Sequence, residues 1–295
     1  VRKLCRFNTA AALLPITLNS ELLLLADNIK QDAEEIRLRA GQPMTVLYKG
    51  CEFELACEHR ISSDELYSVL ERATGASVHS YEQAMANGYI NVTGGIRLGI
   101  CGNAVIKDNM LCGIRELSSL SIRIPKERFD IAKTELDLML SDGLNDILIA
   151  SPPGAGKTSC LRNFVRLISD MGYRVSVADE RGEIAAVSDG EAMFNVGRHT
   201  DVITGAPKAK AAMMLIRAMN PQVLAMDEIS SDEDINALYE ASGCGVKLIA
   251  TLHARDKKDL YGRKNYRALM ESGIFRYCLF IENRNGQRAY RVEEL

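Results

Sequence analysis

The stretch Asp146-Ile147-Leu148-Ile149-Ala150-Ser151-Pro152-Pro153-Gly154-Ala155-Gly156-Lys157-Thr158 decides how this chain folds. An apolar run breaks into a Pro/Gly turn, and Gly-Lys-Thr then opens a helical pattern at Ser159-Cys160-Leu161-Arg162. Strand, glycine-rich turn and helix N-terminus in that order form a phosphate-binding loop. The backbone N–H groups of such a turn converge and, with the positive end of the helix dipole, make a concave anion site. Residues 151–159 are the expected cradle: Ser151, Pro152, Pro153, Gly154, Ala155, Gly156, Lys157, Thr158 and Ser159. Lys157 is placed to reach β- and γ-phosphates and the Thr158 hydroxyl to ligate Mg²⁺, so the ligand class is a nucleoside triphosphate. A bare Gly-Lys-Ser/Thr tripeptide arises by chance about 0.15 times in a chain of this length. Ser151 also stands where the loop pattern has its first glycine, so the loop needs support from elsewhere in the chain.

That support lies downstream. Val223-Leu224-Ala225-Met226-Asp227-Glu228 is an apolar strand ending in two carboxylates, the form of a Walker B element. Asp227 is expected to hold Mg²⁺, which keeps several waters and takes few protein ligands. Glu228 is expected to orient and deprotonate an attacking water. The next strand pattern ends Thr251-Leu252-His253; if it lies between the loop strand and the acidic strand, Thr251 and His253 face the γ-phosphate. Asp179-Glu180-Arg181-Gly182-Glu183 closes a further strand, either as a carboxylate rim beside the site or as a charged turn. Charge spreading onto phosphoryl oxygens calls for a guanidinium, and Arg97, Arg123, Arg198 and Arg217 are the candidates.

The halves of the chain differ in rhythm. Residues 1–125 mix short elements: helical periodicity at Ser20–Ile29 and behind a Ser62-x-x-Glu65 capping box, and strands at Ile36–Arg39, Met44–Tyr48, Tyr89–Val92, Ile96–Ile100 and Leu120–Ile124. Asn87-Gly88 and Gly94-Gly95 read as turns. This is a smaller α+β domain. Residues 126–144 read as a polar linker, helical at its end. From 145 to 295, strands at 146–150, 174–179, 222–227, 246–251 and 277–282 alternate with helical segments, the signature of an α/β domain built on a parallel sheet.

Composition is that of an ordinary globular protein: 295 residues, 47% hydrophobic, 25% charged, net charge −3. No apolar run approaches the ~18 residues that span a bilayer. The basic N-terminal residues precede too short an apolar core for a signal peptide. The eight cysteines show no metal-binding spacing and read as reduced core residues, so the expected location is cytoplasmic. The acidic balance, and a 6% aromatic content that includes no Trp, argue against nucleic acid as a partner.

The runs DERGEIA (179–185), GRHTDVITGAPKAKAAMMLIRAMNPQVLAMDEI (197–229) and LIATLHA (248–254) resemble the stage III sporulation protein AA family. So do EEIRLRAGQP (34–43), GGIRLGICGNAV (94–105) and SSLSIRIP (118–125), so that the likeness spans nearly the whole chain. That family is similar to the RecA-like P-loop ATPases that drive type II and type IV secretion and pilus assembly. The resemblance implies an ATPase using ATP and Mg²⁺, and a ring of identical subunits, hexameric in related enzymes. It implies membrane proteins of a mother-cell-to-forespore channel as partners, and a place at the mother-cell side of the forespore membrane. Carried over, Lys157 and Thr158 are the Walker A pair, Asp227 and Glu228 the Walker B pair, and His253 the histidine-box residue. Glu180 and Glu183 match the acidic box, Arg217 lies in the L-I-R-x-M-x-P stretch, and Arg97 and Arg123 belong to N-domain motifs that face the nucleotide. His199 stands where a second arginine is expected after Arg198, and Asn163 where an acid is expected after Arg162. Three functions follow: a mechanochemical ATPase, a nucleotide-gated scaffold that does not hydrolyse, and a RecA-like nucleic-acid motor.

Overall fold

A computed structural model describes every residue except 1, 56–58, 76–87, 93–94, 108–109, 126–128, 189 and 285–286. The chain divides into two compact units, Val1–Lys126 and Glu127–Leu295.

The first unit opens with helices α1 (Arg2–Ala11), α2 (Ile16–Leu23) and α3 (Asp27–Asp32). Strands β1 (Ala33–Arg39), β2 (Thr45–Tyr48) and β3 (Cys51–Glu54) follow, then α4 (Ser63–Thr74), β4 (Tyr89–Val92), β5 (Ile96–Lys107) and β6 (Met110–Arg123). The strands form one antiparallel sheet in the order β3-β2-β1-β6-β5-β4. The capping box before α4 is present: the Ser62 hydroxyl accepts from the Glu65 N–H while the Glu65 carboxylate accepts from the Ser62 N–H. Helix α1, strand β3 and the full length of the β5–β6 hairpin go beyond the expected elements. Of the two expected glycine turns, Asn87 and Gly94 lie outside the described residues, while Gly88 and Gly95 both have positive φ.

Alternation along a strand sends successive side chains to opposite faces. Ile36, Leu38, Leu98, Ile100, Leu120 and Ile122 therefore share one face and are buried with Phe7, Leu14, Leu18, Leu22, Leu66 and Leu70 of the helices. The other face carries Arg37, Arg39, Arg97, Gly99, Ser119, Ser121 and Arg123, which line a cleft of about 360 Å³. Arg39 donates to Glu52 at 2.6 Å and, with Thr45, holds that carboxyl at a pKa of about 2, down from 4.5. Because the folded value is the lower one, this stabilisation is complete above pH 4.5 and is lost as pH falls toward 2. Thermal melts at stepped pH are expected to show wild type losing more Tm across that window than Glu52→Gln; parallel curves would contradict the assignment.

The second unit contains α5 (Lys133–Met139), β7 (Ile147–Ala150), α6 (Lys157–Asp170) and β8 (Val175–Asp179). A two-residue ribbon, β9 (Val187–Ser188) with β10 (Glu191–Ala192), precedes β11 (Thr200–Thr204), α7 (Lys208–Met219), β12 (Val223–Met226) and α8 (Asp232–Gly243). The chain continues through β13 (Lys247–Leu252), α9 (Lys257–Gly262), α10 (Lys264–Glu271), β14 (Tyr277–Arg284) and β15 (Gln287–Glu294). The main sheet runs β11-β8-β12-β13-β7-β14-β15, parallel from β11 to β14 and closed by the antiparallel hairpin β14–β15. Strand β13 thus lies between the loop strand and the acidic strand.

Both faces of this sheet are covered, which explains the unbroken apolar runs of its strands. Leu148, Ala150, Leu224, Met226, Leu248 and Phe280 pack with residues of α7, α8 and α10 on one side. Ile147, Ile149, Val223, Ala225, Ile249 and Leu279 pack with α5 and α6 on the other. Within the stretch 126–144, expected as a linker, Leu136 and Met139 of α5 are fully buried in that second core. Cysteine placement is corrected. Cys160 and Cys278 are buried, and burial pushes both thiols up, but Cys51, Cys101 and Cys244 are exposed.

Candidate nucleotide site

Strand β7 delivers the loop 151–156 to the carboxyl edge of the sheet, and α6 leaves from Gly156, whose φ is 102°. Three other helices are capped by side chains, from Ser62, Ser231 and Asp256. No side chain caps α6. The same holds for α2, α3, α5, α7 and α10, so what distinguishes α6 is the glycine loop that enters it. Ser151, the departure from the glycine pattern, needs no glycine: it does not adopt a positive φ, is fully buried, and donates from Oγ to the Pro152 carbonyl at 2.8 Å.

Lys157 is 7% exposed. Its Nζ lies 2.9 Å from Nδ1 of His253 and 3.5 Å from the Ser151 carbonyl oxygen. Burial pushes its pKa down, and Asp227 and Glu228 partly oppose that shift. The same Nδ1 lies 3.4 Å from the Ser151 carbonyl oxygen, and Nε2 faces the Glu228 carboxylate at 3.7 Å.

Thr158 donates from Oγ1 to Asp227 Oδ2 at 2.6 Å, and Thr251 donates to Asp227 Oδ1 at 2.5 Å. The Thr251 hydroxyl also accepts from the Glu228 N–H at 2.8 Å. One buried threonine on β13 therefore fixes both acidic residues at the end of β12, as only adjacent strands allow. Glu228 sits in the left-handed region with φ 52°. Its carboxylate pairs with Arg181 at 2.5 Å. Thr158 and Asp227 offer adjacent hard oxygens, the donor type Mg²⁺ takes with water completing its shell.

The acidic run on β8 divides into different roles. Asp179 is buried and accepts from the N–H groups of Glu183, Ile184 and Ala185. Burial pushes its pKa up, those backbone bonds oppose the rise, and the charge of Asp227 adds to it. Arg162 locks the same turn from the other side, donating to the Ile184 and Glu183 carbonyls and lying over the Phe194 ring. Glu180 is bound to Lys208 at 3.2 Å, and Lys208 also reaches Asp234 at 3.4 Å. Arg217 is exposed in the last turn of α7, and Arg198 and His199 precede β11 near the surface. Asn163 braces the chain ahead of α5: it donates to the Ile131 carbonyl and accepts from the Asp130 N–H and from Arg166.

Arg97 and Arg123 lie in the first unit, directly opposite each other across β5 and β6. Arg123 pairs with Glu35 at 3.2 Å, and Arg97 lies over the Tyr89 ring. Arg37 and Arg39 of β1 share their cleft. In the second unit, two basic residues absent from the expected set stand at the site: Arg181 meets Glu228 and Arg288 packs on Gly156. Arg181 was visible in DERGEIA without a sign of its partner. Arg288 belongs to the closing hairpin, and no motif marks it.

A sequence model of the family described as "Sporulation stage III, protein AA" matches residues 12–291. The chain belongs to that family. Stage III sporulation protein AA of Bacillus subtilis (strain 168) is 30% identical over 284 residues, covering 95% of this chain and 92% of that protein. Among solved structures, the chain is similar to the Legionella pneumophila ATPase DotB, with TM-score 0.62 and 14% identity over 95% of this chain and 80% of that one. It is also similar to the pilus retraction motor PilT with bound ADP, with TM-score 0.65 and 17% identity over 93% of this chain and 82% of that one. Identities this low show the fold alone: the chain shares the RecA-like fold of these two proteins. No helix among its described residues is long and apolar enough to cross a membrane.

Proposed function

We propose that this protein binds and hydrolyses ATP as a secretion-type motor ATPase, in a ring of identical subunits, and energises a mother-cell-to-forespore channel during sporulation. The observation that carries the reading is the hydrogen-bonded convergence of Lys157, Thr158, Asp227, Glu228, Thr251 and His253 beside an uncapped helix N-terminus. The second unit is the ATPase domain, and the first is an N-terminal domain.

Lys157 supplies a poorly solvated cation to the β- and γ-phosphates, and binding draws its ammonium away from His253. Thr158 and Asp227 hold Mg²⁺, which when bound neutralises charge on the phosphate oxygens. Glu228 takes the proton of the attacking water, and Thr251 keeps that residue's backbone in place. His253, released from Lys157, reports the γ-phosphate to the rest of the subunit. Glu180 and Glu183 support the site from the β8 turn, and Arg217 is offered toward a neighbouring subunit.

The membrane proteins of the channel complex are the proposed partners, met at the mother-cell face of the forespore membrane. ATP turnover and particle mass, measured on one purified sample, test the proposal. Mg²⁺-dependent phosphate release and a mass several times 32.5 kDa with ATP are expected. A sample that neither binds ATP by calorimetry nor assembles would overturn it.

A further inference from the structure

The closing hairpin reaches the phosphate loop. Phe280 of β14 pairs with Ala150, the last residue of β7, so residues 281–284 continue past the carboxyl edge of the sheet beside the loop. Strand β15 returns from the same tip, with Arg288 opposite Asn283. A Cβ built on Gly156 would lie 2.7 Å from Cζ of Arg288 and 2.8 and 2.9 Å from its two terminal nitrogens. The guanidinium therefore lies against the glycine that precedes Lys157. Among the described residues no carboxylate is within ion-pair distance of it; its polar neighbour is Tyr290, two residues along the same strand face.

A half-buried guanidinium without a carboxylate, packed on the glycine that opens a helix behind a phosphate-type loop, has an unmet demand for an anion. We propose that Arg288 is a phosphate-contacting residue, donating to the polyphosphate of a nucleotide held by the loop of its own subunit. The role rests on the nucleotide-binding reading above and deepens it. Gly156 is then required twice: for its φ of 102° and because any side chain there would push the guanidinium off the loop.

The test is the affinity of a fluorescent ADP and a fluorescent ATP for wild type, Arg288→Ala, Arg288→Lys and Lys157→Ala, at two KCl concentrations. Circular dichroism confirms that each variant is folded. Arg288→Ala is expected to weaken both nucleotides about 10-fold or more, with partial recovery in Arg288→Lys. Its affinity is also expected to fall less steeply with salt than that of wild type, because one ionic contact is gone. A residue that only braced the loop would leave the salt dependence unchanged, and that result overturns the proposal. So does wild-type affinity in Arg288→Ala while Lys157→Ala has lost binding. Failure of wild type itself to bind either nucleotide would instead overturn the nucleotide reading, and this role with it.

Discussion

Replacing Glu228 with Gln is expected to slow phosphate release by about 10²- to 10⁴-fold while leaving ATP bound. The substitution keeps the size of the side chain and the backbone bond to Thr251, and removes the carboxylate proposed to accept a proton from water. It also removes the charge pairing with Arg181, but that arginine is 61% exposed, so the loss of stability is small. Phosphate release under saturating ATP, together with the nucleotide retained after gel filtration, gives both quantities. Turnover at the wild-type rate in the variant would remove Glu228 from the chemistry. Wild type no faster than the variant, even with membrane partners present, would favour a scaffold that uses ATP only to fix its conformation.

Replacing Gly197 with Ala is expected to destabilise the second unit by about 3 to 5 kcal/mol. Gly197 has φ 91°, and an added Cβ would collide with the Ser169 side chain and come within 2.9 Å of the Arg166 carbonyl oxygen. Neither obstacle is the far end of a flexible side chain. Ser169 is fully buried, and its Oγ accepts from the His199 N–H, so its retreat breaks a buried bond as well. Urea denaturation of both proteins measures the difference; stabilities within about 0.5 kcal/mol of each other would show that α6 and the segment ahead of β11 shift freely.

Much of the second unit was legible because its signals are local. An apolar run flanked by turns is a buried strand, Gly-Lys-Thr at a strand end is a loop with a purpose, and Asp227-Glu228 ends another apolar run in carboxylates. The neighbourhood of Lys157 and His253 hung on a strand order that the sequence left conditional; the sheet supplies it by placing β13 between β7 and β12. What stayed hidden was non-local. The β14–β15 hairpin reads from the sequence as one strand, since Gln287–Glu294 is mostly polar and has no clean period-2 alternation. Nothing near Arg288 in the chain indicates that Gly156 lies beneath it. Likewise DERGEIA shows its acids without their partners: Asp179 is taken up by backbone N–H groups, Glu180 by Lys208, and Arg181 of that turn meets Glu228. In the first unit, the arginine face was latent in period-2 alternation across β1, β5 and β6. The pairing that gathers it spans most of that unit and leaves no short motif.

The left-handed backbone at Glu228 sets this position against the chain's own preference. A side chain other than glycine at that φ costs roughly 1 kcal/mol, and here nothing in the turn itself demands the bulk. Glycine would be the more comfortable occupant, and a selection for thermal resistance alone would drift toward it. Under the proposed role, Glu228 is thus a point where the stability of the fold and its chemistry pull in opposite directions. Thr251, by holding the Glu228 N–H, keeps the unfavourable choice in place.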